Sequence, residues 1–132
     1  MKHTADTVIL AEGHVLLIQR RWDPYAGRWV LPGGHVDAGE NALSAAAREL
    51  AEETGIALSP ARLRQVGVYA APGRDPRGRY STTAYTATLP APIQPTPADD
   101  AADARWWPLT ALPEMAFDHA DILRDALGRP AA

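Results

Sequence analysis

Cysteine is absent from the 132-residue chain. Disulfide bonds, thiolate nucleophiles and thiolate metal sites are therefore excluded. Basic runs are also missing, and a net charge of −3 argues against a nucleic-acid polymer as the main partner. No stretch approaches the roughly 20 apolar residues that span a bilayer, and the N-terminus lacks a secretory-signal pattern. The expectation that remains is a cytoplasmic enzyme without a membrane partner.

The residues that are present have the proportions of an ordinary globular domain. Hydrophobic residues make up 46% of the chain and charged residues 22%, which is usual for such proteins. A chain of this length has room for one hydrophobic core. Residues 1–132 are therefore expected to form a single domain.

Hydrophobic patterns along the chain predict the order β, β, β, α, β, β, β, α. Strands are predicted at residues 7–11, 15–20, 29–31, 63–71, 80–89 and 104–107, and helices at 41–54 and 118–127. Four prolines between residues 90 and 97 interrupt regular structure and predict a surface loop. This order suits an α/β or α+β fold with a mixed sheet between helices.

The second half of the first predicted helix carries three glutamates. Glu49, Glu52 and Glu53 are three and four residues apart, so they share one helix face. Like charges on one face destabilise a helix unless a cation neutralises them, and Mg²⁺ prefers such oxygen ligands. A solvated acidic face is the alternative. Arg48 has its own alternative, as a surface partner of Glu52.

A glycine-rich turn upstream of the helix favours the metal site over a solvated face. Pro32-Gly33-Gly34 follows an apolar stretch at residues 29–31. Glycine lets the backbone approach a ligand closely. We therefore expect the Gly33 carbonyl to join the glutamates around a cation.

These residues together reproduce a known spacing, G-x5-E-x7-R-E-U-x-E-E-x-G-U, where U is a bulky aliphatic residue. The matching positions are Gly34, Glu40, Arg48-Glu49-Leu50, Glu52-Glu53 and Gly55-Ile56. Over these 23 residues the chain resembles the Nudix hydrolases, and weaker similarity extends from the first hairpin to the last helix. The resemblance implies an α/β/α sandwich with a mixed central sheet. It also implies metal-dependent hydrolysis of a nucleoside diphosphate linked to a moiety X.

The resemblance also assigns roles to individual residues. Glu52 and Glu53 become the principal metal ligands, and Glu49 becomes a ligand or the general base. Arg48 orients the glutamates, while Glu40 anchors the loop or holds an outer metal through water. The predicted catalytic residues are Arg48, Glu49, Glu52 and Glu53, and the predicted metal ligands are Gly33, Glu49, Glu52, Glu53 and Asp100. Mg²⁺ is the implied cofactor, with Mn²⁺ as a substitute.

Asp100 enters this list because some Nudix members draw a further carboxylate from the loop before the last short strand. That loop reads Pro97-Ala98-Asp99-Asp100-Ala101-Ala102-Asp103 here. Asp100 is the first choice as added ligand or base, with Asp99 and Asp103 behind it. A merely solvated acidic loop is the alternative, because aspartate is common in loops.

A second loop and several aromatic residues are candidates for substrate binding. Three arginines lie within residues 74–79, and guanidinium groups match phosphate oxygens. This string resembles a loop of bacterial ADP-ribose pyrophosphatases, although a solvated hairpin loop has the same composition. Aromatic rings can stack on a base. The predicted substrate-binding residues are Arg20, Trp22, Arg74, Arg77, Arg79 and Phe117. His119 opens the last helix and either faces a base or ribose or is a helix cap or surface residue, without a catalytic role.

The resemblance favours cleavage of ADP-ribose to AMP and ribose 5-phosphate. One alternative is a pyrophosphohydrolase for nucleoside triphosphates of the 8-oxo-dGTP type. Another is a module that binds ADP-ribose without turnover. The expected partner is a small nucleotide, and homodimers are common in the family, although the sequence leaves the oligomeric state open.

Overall fold

The computed structural model describes residues 1–98 and 100–128. Within them the strands are β1 (Lys2–Ala11), β2 (His14–Arg20), β3 (Trp29–Val30), β4 (Gly33–His35), β5 (Arg64–Tyr69), β6 (Tyr80–Thr88) and β7 (Ala101–Pro108). The helices are α1 (Ala42–Thr54) and α2 (His119–Leu127), with a short 3-10 helix at Pro60–Arg62. None of the described helices is long and apolar enough to cross a membrane.

All the described strands join one mixed sheet. Its main path runs β3-β2-β1-β6-β5, while β4 also pairs with β1 and β7 with β2. The pairing of β1 with β6 is parallel, and the other pairings are antiparallel. The mixed sheet that the element order predicted is therefore confirmed.

The two helices cover opposite faces of this sheet. Ala5 and Ile9 of β1 belong to the core cluster that contains Leu50 of α1. Val8, between them, belongs to the cluster that contains Ile122 of α2. This alternation follows from the two-residue period of a strand, which sends successive side chains to opposite faces. The predicted α/β/α sandwich is confirmed.

The largest departure from the predicted elements is β4, which occupies part of the expected glycine turn. Gly33 pairs with Asp6 of β1, and Gly34 pairs with Ala5. Side-chain patterns did not reveal this strand because its ladder consists of backbone bonds and two of its three residues have no side chain. Strand β1 also starts five residues earlier than predicted, since its parallel pairing with β6 continues to Lys2.

Candidate active site

Helix α1 is fixed at both ends, which sets the position of its acidic side chains. Asn41 caps the start, where its Oδ1 accepts a hydrogen bond of 2.8 Å from the Ser44 N–H. Gly55 ends the helix with φ of 74°, a left-handed conformation that glycine adopts without strain. Leu50 and Thr54 are buried on the inner side. The last turns of α1 therefore lie against the sheet near β4.

Glu53 is buried and bonded to the glycine strand. Its Oε1 accepts a hydrogen bond of 2.7 Å from the Gly33 N–H. Burial, together with the charges of Glu49, Asp100 and Asp6, outweighs that bond and raises the pKa of Glu53 to about 9. A nearby cation would favour the charged form. The structure thus holds a desolvated carboxyl at the position predicted for a principal metal ligand.

Glu49 packs directly over Gly34. A Cβ atom built on Gly34 would lie 2.5 Å from the Glu49 carboxyl carbon and 2.6 and 2.7 Å from its oxygens. Position 34 must therefore be glycine if the Glu49 carboxylate is to stay where it is. Partial burial raises the pKa of Glu49, and the neighbouring Arg48 offsets this only in part.

Arg48 makes hydrogen bonds both to the loop before α1 and to the helix itself. Its Nε and Nη2 donate to the two Glu40 oxygens at 2.8 and 2.9 Å, and Nη2 also donates to the His35 carbonyl at 3.0 Å. Its Nη1 donates to Glu49 at 2.9 Å and to Glu52 at 3.2 Å. The bonds from Arg48, with one from the Asp37 N–H, lower the pKa of Glu40 to about 2. Arg48 thus fixes the orientation of neighbouring carboxylates.

The three glutamates do not converge on one point, which differs from the expectation. Among residues 1–98 and 100–128, no three histidine, aspartate or glutamate side chains form a group that could hold a metal ion. The side chain of Glu52 is 57% exposed and pairs with Arg48, whereas Glu53 turns inward to Gly33. The negative charges of Glu52 and Glu53 repel each other, and Glu52 pairs instead with the Arg48 guanidinium four residues earlier on the helix.

The loop that carries Asp100 is tied to the end of α1. The Thr96 N–H donates to the Thr54 carbonyl at 2.8 Å, and the Ala98 N–H donates to the Glu53 carbonyl at 3.2 Å. Asp100 is exposed, and its charge contributes to the raised pKa of Glu53. These backbone bonds bring an additional carboxylate into the electrostatic field of the buried one.

The other acidic residues of this loop have different positions. Asp103 accepts a hydrogen bond of 2.7 Å from Arg105 and another from the Ala104 N–H. Its carboxylate is therefore occupied within its own strand. Asp99 lies outside the described residues.

A cleft opens beside Glu53 and β4. Its interior volume is about 110 Å³, and it is open to the surface. Its lining combines acidic, basic and apolar side chains with the two glycines. The lining residues are Thr4, Asp6, Ile18, Arg20, Val30, Leu31, Gly33, Gly34, Glu53, Arg74, Asp75, Tyr80, Phe117 and His119.

Three of the predicted substrate-binding residues line this cleft: Arg20, Arg74 and Phe117. The Arg20 guanidinium lies 5.0 Å from the centre of the Phe117 ring, and its Nε donates to the Pro24 carbonyl at 2.6 Å. Burial and the charge of Arg77 lower the pKa of Arg20. A cation in such surroundings gains from contact with an anionic ligand.

Arg74 and Arg77 are each held by an aspartate. The buried guanidinium of Arg74, whose side chain is 5% exposed, donates to both oxygens of Asp118 at 2.9 and 2.7 Å. Arg77 donates to both oxygens of Asp75 at 3.0 and 2.7 Å. Its side chain is 42% exposed, and its guanidinium lies 5.5 Å from the Phe117 ring. The first pair links the arginine loop to the start of α2, and the second links residues within the loop.

Arg79 and Trp22 are exposed, and neither is among the described residues that line the cleft. Their substrate-binding roles stay predictions. Arg77 likewise lies outside the lining, at the rim defined by its contacts with Tyr80 and Phe117.

The two aspartate–arginine pairs give similar expectations for stability. Arg74→Ala is expected to lower the free energy of unfolding by about 3 kcal/mol, because it leaves the Asp118 carboxylate without its buried partner. Arg77→Ala also leaves a buried carboxylate without its cation, since the Asp75 side chain is only 4% exposed, and is expected to cost a similar amount and to raise KM more than it lowers kcat. Urea unfolding and steady-state kinetics measure both. Stability losses below about 1 kcal/mol, or unchanged kinetics for Arg77→Ala, would contradict this assignment.

Sequence reasoning missed a polar cluster on the cleft floor. Asp6 of β1 is 5% exposed, and its Oδ2 accepts a hydrogen bond of 2.6 Å from Thr82. His119, for which the sequence left both a base- or ribose-facing position and a capping or surface role open, is 6% exposed, so the surface role is wrong, and its Nδ1 accepts the Leu31 N–H at 3.0 Å. An aspartate within an apolar strand is the sequence feature that could have indicated the cluster, because such residues are seldom buried without a partner or a function.

Comparison with known proteins gives a consistent result. The family described as NUDIX domain matches residues 1–126. An ADP-ribose pyrophosphatase of Methanocaldococcus jannaschii is 38% identical over 120 residues, which cover 91% of this chain and 69% of that protein. The ADPR responsive transcriptional repressor NtrR of Acinetobacter baylyi is 39% identical over 119 residues, 87% of this chain. The chain spans only 47% of the repressor's length.

A solved structure extends the comparison to three dimensions. The NUDIX domain of Shewanella oneidensis NrtR, crystallised with ADP ribose, matches with a TM-score of 0.88 and 30% sequence identity. The match covers 96% of this chain and 86% of that one. The similarity therefore extends over nearly the whole of this chain.

Proposed function

Because the chain belongs to the NUDIX domain family, we propose that it is a pyrophosphatase that hydrolyses ADP-ribose to AMP and ribose 5-phosphate. The observation that carries the proposal is the meeting of Glu49 and Glu53 with the Gly33–Gly34 strand beside an open cleft. Similarity to an ADP-ribose pyrophosphatase over 91% of the chain supports the choice of substrate. In general terms, the substrate is a nucleoside diphosphate linked to a moiety X.

The chemistry of the donor groups around Glu53 fits a hard divalent cation, but the carboxylates among residues 1–98 and 100–128 are not gathered at one point, so a bound cation would require some of them to turn inward. We assign Glu49, Glu53, Asp100 and the Gly33 carbonyl as the groups that would hold Mg²⁺, or Mn²⁺ in its place, with Glu52 as a further ligand. All are oxygen donors, which Mg²⁺ prefers, and the raised pKa values of Glu49 and Glu53 reflect crowded negative charge that a cation offsets. When bound, Mg²⁺ neutralises phosphate oxygens and lowers the pKa of water.

The chain's own residues supply the remaining functions. In the hydrolysis, the oxygen of a water molecule bonds to phosphorus, the phosphoanhydride bond breaks, and a proton must be removed from the water. As the alternative to its role as a metal ligand, Glu49 is our candidate for the general base that accepts this proton, because partial burial raises its pKa and makes it a stronger base. Arg48 holds the Glu49 carboxylate in place. Arg20, on the cleft wall, attracts the negative diphosphate, while the Arg74 guanidinium lines the same cleft already paired with Asp118.

Two alternatives lead to different measurements. A nucleoside triphosphate pyrophosphohydrolase would use the same glutamates on another substrate. A sensor that binds ADP-ribose without turnover is favoured by the similarity to the repressor NtrR. However, this chain keeps Glu49, Glu52 and Glu53, which a ligand sensor without turnover does not need, and this favours the hydrolase.

A substrate panel tests the proposal. We expect kcat/KM for ADP-ribose to exceed that for 8-oxo-dGTP and the ordinary dNTPs, with AMP and ribose 5-phosphate as products. EDTA should abolish turnover, and excess Mg²⁺ or Mn²⁺ should restore it. Cleavage of a triphosphate without cleavage of ADP-ribose would show that the substrate is a nucleoside triphosphate and not ADP-ribose. Binding of ADP-ribose in Mg²⁺ without any product would establish the sensor.

The proposal also specifies partners and location. We propose a cytoplasmic enzyme whose partner is a small nucleotide, and the net charge of −3 supports the exclusion of a nucleic-acid polymer. A homodimer is compatible with the proposal, since the cleft described above is formed within one chain. Sedimentation velocity measures the oligomeric state.

A further inference from the structure

The cleft floor presents a fixed hydrogen-bond donor at His119. The Leu31 N–H donates to its Nδ1 at 3.0 Å, so Nδ1 carries no proton. The proton of the neutral ring must then be on Nε2. Burial, which outweighs the opposing charge of Asp6, also lowers the pKa of His119. The imidazole is therefore neutral, with its Nε2–H available as a donor.

Asp6 presents acceptors beside this donor. Its Oδ2 already accepts from Thr82, but a carboxylate has about four acceptor positions on its two oxygens. The distance from His119 Nε2 to Asp6 Oδ2 is 3.7 Å, which is too long for a hydrogen bond. The two groups therefore do not satisfy each other, although both line the same cleft.

The apolar surroundings of Asp6 and His119 favour ligands that can hydrogen-bond to both groups. Ile18, Val30 and Leu31 contribute apolar surface to the same cleft, and the Phe117 ring lies 5.5 Å from the His119 ring. A ligand that occupies this space replaces the solvent that would otherwise hydrogen-bond to Asp6 and His119. It must then offer both groups a partner, because a polar group that loses water without compensation is costly.

We propose that Asp6 and His119 recognise a hydroxyl of a ribose 2,3-diol in the substrate. The hydroxyl oxygen accepts from His119 Nε2–H, and the hydroxyl proton is donated to Asp6. An oxygen at about 2.8 Å from both atoms spans the gap with an angle of about 80° at the oxygen. A hydroxyl combines donor and acceptor on one atom, whereas a phosphate would be repelled by Asp6. The inference rests on the proposed function, because it requires a sugar-containing substrate.

Either ribose of ADP-ribose carries such a diol, so the test needs three substrates. They are ADP-ribose and two analogues, one without the 2,3-hydroxyls of the adenosine ribose and one without those of the terminal ribose. The wild-type enzyme is expected to discriminate at least about tenfold in kcat/KM against one of the analogues. The affected analogue identifies which ribose lies on the cleft floor.

Two substitutions of His119 separate recognition from support of the fold. The Oδ1 of an asparagine can replace Nδ1 as acceptor for the Leu31 N–H, but no donor remains at Nε2. The amide of a glutamine reaches the Nε2 position but cannot serve Leu31. His119→Asn should therefore keep a near-wild-type Tm and lose the discrimination. His119→Gln should lower Tm and keep the discrimination.

Asp6→Asn provides an independent check on the acceptor, because an amide oxygen in the Oδ2 position can still accept from Thr82 and from the ribose hydroxyl. It should therefore keep more of the discrimination than His119→Asn does, and a loss as complete as that of His119→Asn would contradict the assignment of Oδ2. The inference is overturned if the wild type cleaves all three compounds equally, or if both His119 variants change Tm and selectivity alike. Absence of ADP-ribose cleavage by the wild type would instead defeat the proposed function.

Discussion

Glu53→Gln is expected to lower kcat for ADP-ribose by about a thousandfold while the fold stays intact. Glutamine keeps the shape of the side chain, and its Oε1 can still accept the 2.7 Å bond from the Gly33 N–H. What it loses is the negative charge that would hold the cation. Steady-state kinetics with saturating Mg²⁺ measures the effect, with Glu114→Gln at an exposed surface pair as the control.

The same variant makes a prediction about stability in EDTA. Burial raises the pKa of Glu53 from 4.5 to about 9. The pKa of Glu53 is therefore higher in the folded state than in the unfolded state, and protonation of Glu53 stabilises the fold. This contribution to the free energy of unfolding is complete below pH 4.5 and is lost as pH rises toward 9. Glutamine cannot ionise, so Glu53→Gln should match the wild-type Tm at acid pH and exceed it near pH 9. A lower Tm at all pH values would mean that lost activity reflects unfolding.

Gly34→Ala is the second variant with a large expected effect. The added methyl would lie 2.5 Å from the Glu49 carboxyl carbon, and something must move. The flexible end of the Glu49 side chain can do so at little cost to the fold, but it then leaves the site. A displacement of about 1 Å can cost about a hundredfold in rate. We therefore expect kcat to fall about that much, with only a small change in Tm.

Two other glycines serve as controls for that variant. A Cβ on Gly33 would meet the backbone carbonyl of Ala5 and the carboxyl group of Asp6. Backbone cannot yield as a side chain does, so Gly33→Ala should lower Tm strongly. A Cβ on Gly128 would make ordinary contacts of 3.6 Å or more, so Gly128→Ala should change neither property. A wild-type kcat for Gly34→Ala would show that Glu49 takes no part in the reaction.

The parts of the site that could be predicted from sequence are local. The helix with Glu49 and Glu53, its end at Gly55 and the preceding glycines all lie within about two dozen residues. Helical geometry relates such positions directly, because three- and four-residue steps return to one face. The position of each carboxylate was harder to predict. Glu52 pairs outward with Arg48 instead of joining Glu53, and only the balance of burial and charge decides this.

The parts that could not be predicted depend on contacts between distant segments. His119 bonds to Leu31, 88 residues away, and Asp6 bonds to Thr82, 76 residues away. No periodicity connects such positions, since the sheet order that brings them together is set by packing. The arginine loop shows the same limit. Its charges suggested phosphate binding, but Asp118 holds Arg74 through a contact across 44 residues.

The central claim is that the acidic end of α1 and the glycine strand together hold the cation that activates diphosphate hydrolysis. Anomalous diffraction from crystals grown with Mn²⁺ and a non-hydrolysable ADP-ribose analogue tests it most directly. The account predicts an anomalous peak bounded by the carboxylates of Glu49 and Glu53 and the carbonyl of Gly33. A bound analogue with no peak there, or with Mn²⁺ held only elsewhere, would contradict it.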